Sequence, residues 1–300
     1  MISLFNRMLV KVLPVFPRSF VGLFSRRYIA GERLEDAIEV SRRLNAQGLW
    51  TTMDVLGENI TNLEEATQAK EACLRVFDAI HENGIAGNLS IKLTQMGLKI
   101  DKSACTENVH EIVEKARQYG NFLRIDMEDS TCTDDTIEIC LRMRKVYPRV
   151  GTVIQAYLKR SEQDVRELAR QGVNLRICKG IYDEPASIAY KDREEIRENY
   201  RRLVEIMMDH KAYVAIATHD RVLVEHAYGE IARRKLSPEE YEFQMLLGVG
   251  ENLRGQIVAD GHHLRVYVPF GEHWYPYSLR RMKENPELAG YIVKNLFRKP

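Results

Sequence analysis

The chain has 300 residues, 45% hydrophobic and 29% charged, with a formal net charge of +1. That is the composition of a soluble globular protein with a sizeable core, and the near-zero charge argues against a nucleic-acid partner or a broad attraction to anionic membrane. Five cysteines without a CxxC pair argue against a disulfide framework or a cysteine zinc site, and fit reduced thiols in a cytoplasmic protein.

The first segment, "MISLFNRMLVKVLPVFPRSFVGLFSRRYIA" (1–30), is apolar but interrupted by Arg7, Lys11, Pro14, Pro17 and Arg18. No run is long enough to span a bilayer, and no clear cleavage site follows. It predicts an amphipathic helix with a basic edge, within a helical segment 1–47 that packs on its own domain. A second reading lays it on a membrane surface. Short β-branched-rich runs then recur: "LWTTMDV" (49–55), "GNLSIKL" (87–93), "FLRIDME" (122–128) and "GTVIQAYL" (151–158). They continue with "VNLRICKG" (173–180), "AYVAIAT" (212–218), "YEFQMLL" (241–247) and "LRVYVPF" (264–270). Helical periodicity separates them, most clearly over 63–83 and 188–210. Strict alternation predicts a parallel α/β sheet, and eight such units predict a (β/α)₈ TIM barrel in one domain, 1–300. A doubly wound sheet would carry a glycine-rich fingerprint after an early strand. The nearest match, "GVGENLRG" (248–255), has other spacing and follows the seventh strand.

Polar residues gather where the expected strands end: Asp54 and Glu58, Lys92, Asp126 and Glu128, Gln155, Arg176 and Lys179, Thr218 and His219, and Tyr267. Singly, each has a structural reading. Asp54 caps a turn, Glu128 and Asp129 are solvated, Lys179 ends a loop, and His219 is a satisfied core histidine. Together they sit at the catalytic edge of a barrel, where unpaired charge costs several kcal/mol to bury. The accumulation points to a site for a charged or zwitterionic ligand. After the last strand, Tyr277, Arg280, Arg281 and Glu284 fall at i, i+3, i+4 and i+7, with Pro276 suited to a first helical turn. As a solvated face the stripe is worth only ~0.3–0.5 kcal/mol per Arg–Glu pair. Laid over the barrel mouth, it offers two guanidiniums for bidentate capture of a carboxylate. The first strand ends near Val55, so Glu58 falls beside that helix and can gate the mouth by pairing with Arg280.

The motifs "TTMDVLGE" (51–58), "SIKLTQMGL" (90–98), "RIDMEDS" (124–130), "IQAYLKR" (154–160) and "LRICKGIYDEP" (175–185) continue through "ATHD" (217–220), "YEFQMLLGV" (241–249), "RVYVPFG" (265–271) and "YPYSLRRMKE" (275–284). In this order they resemble the proline dehydrogenase family, flavin-dependent enzymes that oxidise L-proline. The similarity is greatest to the short monofunctional bacterial members, since this length leaves no room for the aldehyde dehydrogenase domain of bifunctional relatives. The resemblance implies a distorted (β/α)₈ barrel with its eighth helix over the mouth, and FAD bound noncovalently at the carboxyl ends of the strands. By matching positions, it implies proline binding by Lys92, Tyr267, Tyr277, Arg280 and Arg281, with Asp126 holding Lys92 and Leu246 lining the apolar side of the ring. It assigns the flavin to Met127, Gln155, Arg176, Lys179, Gly180, Ile181, Thr218 and His219, with Arg176 near flavin N5, and makes Asp126 and Arg176 catalytic. It implies no metal. It further implies a quinone acceptor, a separate 1-pyrroline-5-carboxylate dehydrogenase, and a cytoplasmic protein in weak peripheral contact with the inner face of the membrane. Family members often have alanine where Ile181 stands and asparagine where Asp220 stands. On residues alone two other functions stay open. One is a barrel acting on a phosphorylated or carboxylated metabolite with Lys92 or Lys179 as nucleophile. The other is a non-catalytic ligand-binding barrel.

Overall fold

A computed structural model describes residues 22, 25, 27–57 and 60–278. Glu58, Arg280, Arg281, Glu284 and residues 1–21 lie outside the described residues, and with them the gate and the expected helix at 1–21; of the mouth-covering helix only 274–278 are described. Eight strands pair in chain order, each parallel to its neighbours, and the last closes on the first. They are β1 (Trp50–Val55), β2 (Gly87–Lys92), β3 (Leu123–Asp126), β4 (Val150–Gln155), β5 (Leu175–Cys178), β6 (Val214–Ala217), β7 (Tyr241–Leu246) and β8 (Leu264–Phe270). Helix α1 (Leu34–Asn45) precedes the barrel. Helices α2 (Leu63–Glu82), α3 (Lys102–Gln118), α4 (Thr133–Val146), α5 (Ser161–Arg170), α6 (Arg193–Asp209), α7 (Arg221–Arg234) and α8 (Glu251–Ala259) follow β1 to β7 in turn. The (β/α)₈ barrel expected from the alternation is the fold.

Local chemistry explains where the helices begin. Asn62, Asp101, Asp192 and Asp220 each accept a backbone N–H of the first turn with the side chain, satisfying donors that the helix cannot. The cap at Asp192 also explains why α6 starts later than the periodicity over 188–210 suggests. Residues just before it are tied elsewhere: Lys159 N–H donates to Ile188 O, and Tyr190 N–H to Tyr157 O.

The apolar core lies between barrel and helices. Met53, Leu89, Ile91, Leu123, Ile125, Phe243 and Val266 on the strands are buried with Val76, Phe77, Val109, Ile112 and Leu203 on the helices. The alternate strand residues point the other way, and that interior is polar. Arg124, Glu242 and Arg265 occupy its amino-terminal end. Ser90, Arg176 and Gln244 lie at mid-height, and Asp54, Lys92, Asp126 and Tyr267 at the carboxyl end. Pleat and burial together thus carry charged groups into the middle of the molecule.

Close approach at the amino-terminal end gives a stability test. A methyl at Gly151 would collide with the Asn174 carbonyl oxygen and lie 2.8 Å from Arg124 Nη1 and Phe122 Cζ. Gly151→Ala should therefore cost about 1–3 kcal/mol through overpacking. The check is a lower urea midpoint at unchanged m-value.

Candidate active site

A cavity of about 640 Å³ opens at the carboxyl ends of the strands. Every described residue that the motifs single out as substrate or cofactor ligand lines it. Lys92, Asp126 and Gln155 end their strands, while Met127, Lys179 and Thr218 follow theirs directly. Arg176, Leu246 and Tyr267 face it from β5, β7 and β8, and Tyr277 closes it from beyond β8. Tyr277 is also buried against Ile29 and Leu56, so its position is set by packing.

At the centre, the Asp126 carboxylate accepts from Arg176 Nη1 at 2.6 Å and from the Tyr267 hydroxyl at 2.8 Å. Lys92 was expected to be held by Asp126, and the two form an ion pair at 3.9 Å. Its shorter contact is with Asp54, to whose Oδ1 Lys92 Nζ donates at 2.8 Å. Asp54 and Asp126 stand at the ends of strands on either side of β2, so Lys92 lies between two carboxylates, of which Asp126 is also engaged by Arg176 and Tyr267. Lys92 also reaches Tyr267 Oη at 3.3 Å, and the Arg176 guanidinium lies over the Tyr267 ring, 5.3 Å from its centroid. Burial pushes the Tyr267 phenol well above its usual pKa, and the charges of Asp126 and Asp54 push it further. Tyr267 therefore stays protonated and serves as a hydrogen-bond donor.

The opposite wall carries a second cluster. Gln155 Nε2 faces the carbonyl oxygens of Met127 and Glu128 at 3.4 and 3.3 Å, while its buried Oε1 has no partner among the described residues. His219 Nε2 accepts the Leu246 N–H at 2.9 Å, which puts the proton of the neutral ring on Nδ1. Thr218 Oγ1 accepts the Asp220 N–H. Gly180 takes φ +101°, and a side chain there would strike the Tyr157 ring. Ile181 is 42% exposed at the rim. Asp220 binds Lys179 at 2.5 Å and Arg197 at 2.8 Å, with Arg193 at 3.8 Å.

The motif reading did not assign Gln244, Tyr182 or Arg193 to the site, although all three line the cavity. For Gln244 a signal was present: in "YEFQML", Glu242 and Gln244 alternate with Phe243 and Met245, a polar face on a strand whose neighbours are all buried. Arg193 gives no such signal, because it comes from the helix after β5 and reaches the cavity only through the fold.

A closed parallel barrel with a buried, charge-paired cavity at its carboxyl edge defines the class of barrel enzymes that hold small polar ligands. The sequence profile of the family described as Proline dehydrogenase matches residues 37–292. The chain is 33% identical over 290 residues to Proline dehydrogenase 1 of Bacillus subtilis (strain 168), covering 96% of each. It is 35% identical over 279 residues to Proline dehydrogenase of Deinococcus radiodurans, covering 91% of this chain and 90% of that one. It superposes with a TM-score of 0.82 on proline utilization A from Bdellovibrio bacteriovorus inactivated by N-propargylglycine, at 22% identity. That match covers 90% of this chain but only 34% of the longer one, and it speaks for the fold. The chain belongs to the proline dehydrogenase family.

The Asp220 cluster has a measurable pH signature. Burial alone would raise the Asp220 pKa, but hydrogen bonds from Arg197 and Lys179 outweigh it and hold the carboxyl well below its usual range. A depressed carboxyl stabilises the fold above the unfolded pKa of ~3.9 and loses that contribution as pH falls through the folded value. Asp220→Asn should therefore be less stable than wild type at pH 7. The difference should hold down to about pH 5 and shrink below about pH 4. Urea unfolding of both proteins across this range is the check.

Proposed function

We propose that this chain oxidises L-proline to 1-pyrroline-5-carboxylate with bound FAD, the first step of proline catabolism toward glutamate. The observation that carries the reading is convergence. Lys92, Asp126, Gln155, Arg176, Tyr267 and Tyr277 come from separate motifs and meet in one cavity.

The residues present fit the cofactor. Gln155 offers a buried, unpartnered acceptor suited to a ring N–H. Lys179, Arg193 and Arg197 surround Asp220, with Glu194 as a second carboxylate on Arg197, and Arg193 has a side chain 72% exposed. That surplus of cations beside the cavity suits a diphosphate. Met127, Gln155, Arg176, Lys179, Gly180, Ile181, Thr218 and His219 would hold the group. When bound, FAD would supply the two-electron oxidant for the hydride that proline gives up, and a quinone would be its electron acceptor.

Proline loses a proton from nitrogen and a hydride from the adjacent ring carbon. The chain's own task is to orient the ring and keep water out. Leu246, Tyr267 and Tyr277 shape the ring pocket, and Lys92 stands beside Tyr267. The motif match assigns the substrate carboxylate to Arg280 and Arg281, and the position of Glu58 just beyond the end of β1 suggests that it closes the mouth against Arg280. Asp126 fixes Arg176 and Tyr267 in place. Arg176 supplies positive charge where negative charge develops on reduction. The product passes to a separate 1-pyrroline-5-carboxylate dehydrogenase, and the N-terminal segment gives weak, reversible membrane contact for the quinone.

Purified protein should be yellow, and anaerobic L-proline should bleach it. A colourless protein that FAD cannot reconstitute would overturn the reading. Arg280→Met and Arg281→Met should each cost roughly 2–4 kcal/mol in kcat/KM for proline, through loss of a charge-assisted contact to a desolvated carboxylate. Their FAD content should stay near that of wild type. Steady-state kinetics with flavin quantitation tests both statements.

A further inference from the structure

Arg176 is held by more than its ion pair. Its Nη1 donates to Asp126, its Nη2 to Ser90 Oγ at 3.2 Å, and its Nε to Gln244 Oε1 at 2.5 Å. Gln244 in turn donates through Nε2 to Glu242 Oε1, one layer nearer the amino-terminal end of the barrel. Glu242 is buried, 2% exposed, and accepts Arg265 Nε and Nη2 at 2.9 Å and the Tyr213 hydroxyl at 3.1 Å.

We infer that Gln244 and Glu242 are positioning residues that set the direction of Arg176 from below. The argument is one of donors and acceptors. An ionised carboxylate only accepts and a guanidinium only donates, so an amide placed between them has one satisfactory orientation. Its NH₂ must face Glu242 and its oxygen must face Arg176. The opposite orientation would set oxygen against oxygen and donor against donor among buried side chains, at a cost in both contacts. Glu242 therefore decides which end of Gln244 meets Arg176. With Nε fixed by Gln244 and Nη2 by Ser90, the planar guanidinium can aim Nη1 only toward Asp126. The chain Arg265–Glu242–Gln244–Arg176–Asp126–Tyr267 thus carries orientation from the barrel floor to the cavity. Neither Glu242 nor Arg265 lines that cavity.

Glu242→Gln has a definite expected consequence. Glu242 Oε2 faces three donors, Arg265 Nη2 at 2.9 Å and Arg265 Nε and Tyr213 Oη at 3.1 Å. Oε1 faces two, Arg265 Nε and Gln244 Nε2. The single amide oxygen of the variant takes the Oε2 place, and its NH₂ then confronts the NH₂ of Gln244. Gln244 inverts, and Arg176 Nε loses its acceptor. Adding Gln244→Glu repairs this at unchanged net charge, because a carboxylate at 244 accepts from both Arg176 Nε and the amide at 242.

The test compares wild type, E242Q, Q244M and the double variant E242Q/Q244E in the FAD-bound enzyme. The kinetic arm rests on the proline-oxidation reading. The structural arm does not: it follows the Arg176 Nε–Hε correlation in ¹⁵N-arginine-labelled protein, assigned by its disappearance in Arg176→Lys. We expect that signal to shift upfield and exchange faster with water in E242Q and Q244M, and to return in the double variant. The kinetic arm should show kcat for proline down roughly 10–100-fold in the two single variants, the loss expected from one hydrogen bond to a charged group, with KM within about threefold. The double variant should recover most of it. An unchanged Arg176 signal in Q244M and E242Q overturns the inference. So does a double variant that folds but shows neither the signal nor the activity. If E242Q fails to fold, Q244M and the double variant decide by the same two criteria. Wild-type protein inactive on proline would sink the functional reading and leave the NMR arm able to judge the positioning.

Discussion

Asp126 accepts from Arg176 and Tyr267 at once and stands 3.9 Å from Lys92. The rest of the barrel is arranged around making that carboxylate tolerable in a closed, buried interior. Uncompensated charge there costs several kcal/mol, and removing one member of a buried pair costs about 3–5 kcal/mol. Lys92 therefore has Asp54, Arg176 has Gln244 and Ser90 besides Asp126, and Arg265 has Glu242. Among the described interior residues the cations are Lys92, Arg124, Arg176 and Arg265, and the acids are Asp54, Asp126 and Glu242. Glu128, buried beside them at the carboxyl edge, brings the acids to four as well, so the described charges balance.

The two ends of the barrel use the same chemistry for different purposes. At the amino-terminal end Arg124 donates to Thr152 O and to the carbonyl and side-chain oxygens of Asn174, which ties β3 to β4 and to the turn before β5. Arg265 ties β8 to the β1 backbone at Thr51 O and to Glu242. These guanidiniums brace the barrel, although Arg124 Nε is buried there without a partner among the described residues. At the carboxyl end the polar groups line a cavity, and Gln155 Oε1 is likewise buried without a partner among the described residues. Bracing at one end and a cavity at the other is the usual division in a barrel enzyme.

Much of this was legible in the sequence, for a physical reason. Strands packed against helices must carry apolar or β-branched residues on that face, and all eight observed strands fall within or one residue from the runs expected. The edge residues were legible too, because a polar side chain at the end of such a run has few places to go. Partnership was less legible. Lys92 and Asp126 are cross-strand neighbours in register, yet the shorter contact of Lys92 is with Asp54 on the other side. That choice depends on barrel curvature and on Arg176 already holding Asp126, and neither is written in a local motif. The departure at Asp220 shows the same limit. A carboxylate where the resemblance implies asparagine looks like an isolated change until the fold brings Lys179, Arg193 and Arg197 around it.

The alternation in β7 shows how far a local pattern can be taken once the fold is known. Phe243 and Met245 face the helices and fill the apolar shell, so the intervening Glu242 and Gln244 have only the interior available. The pleat places them one layer apart along the barrel axis. One layer further along the interior, the Arg176 guanidinium presents Nε to Gln244 and Nη1 to Asp126. A strand's two-residue period thus becomes a vertical stack of donor and acceptor, and the polarity of that stack is set by its charged floor. Strand pleat and charge pairing together specify the orientation of one guanidinium at the cavity, which neither would specify alone.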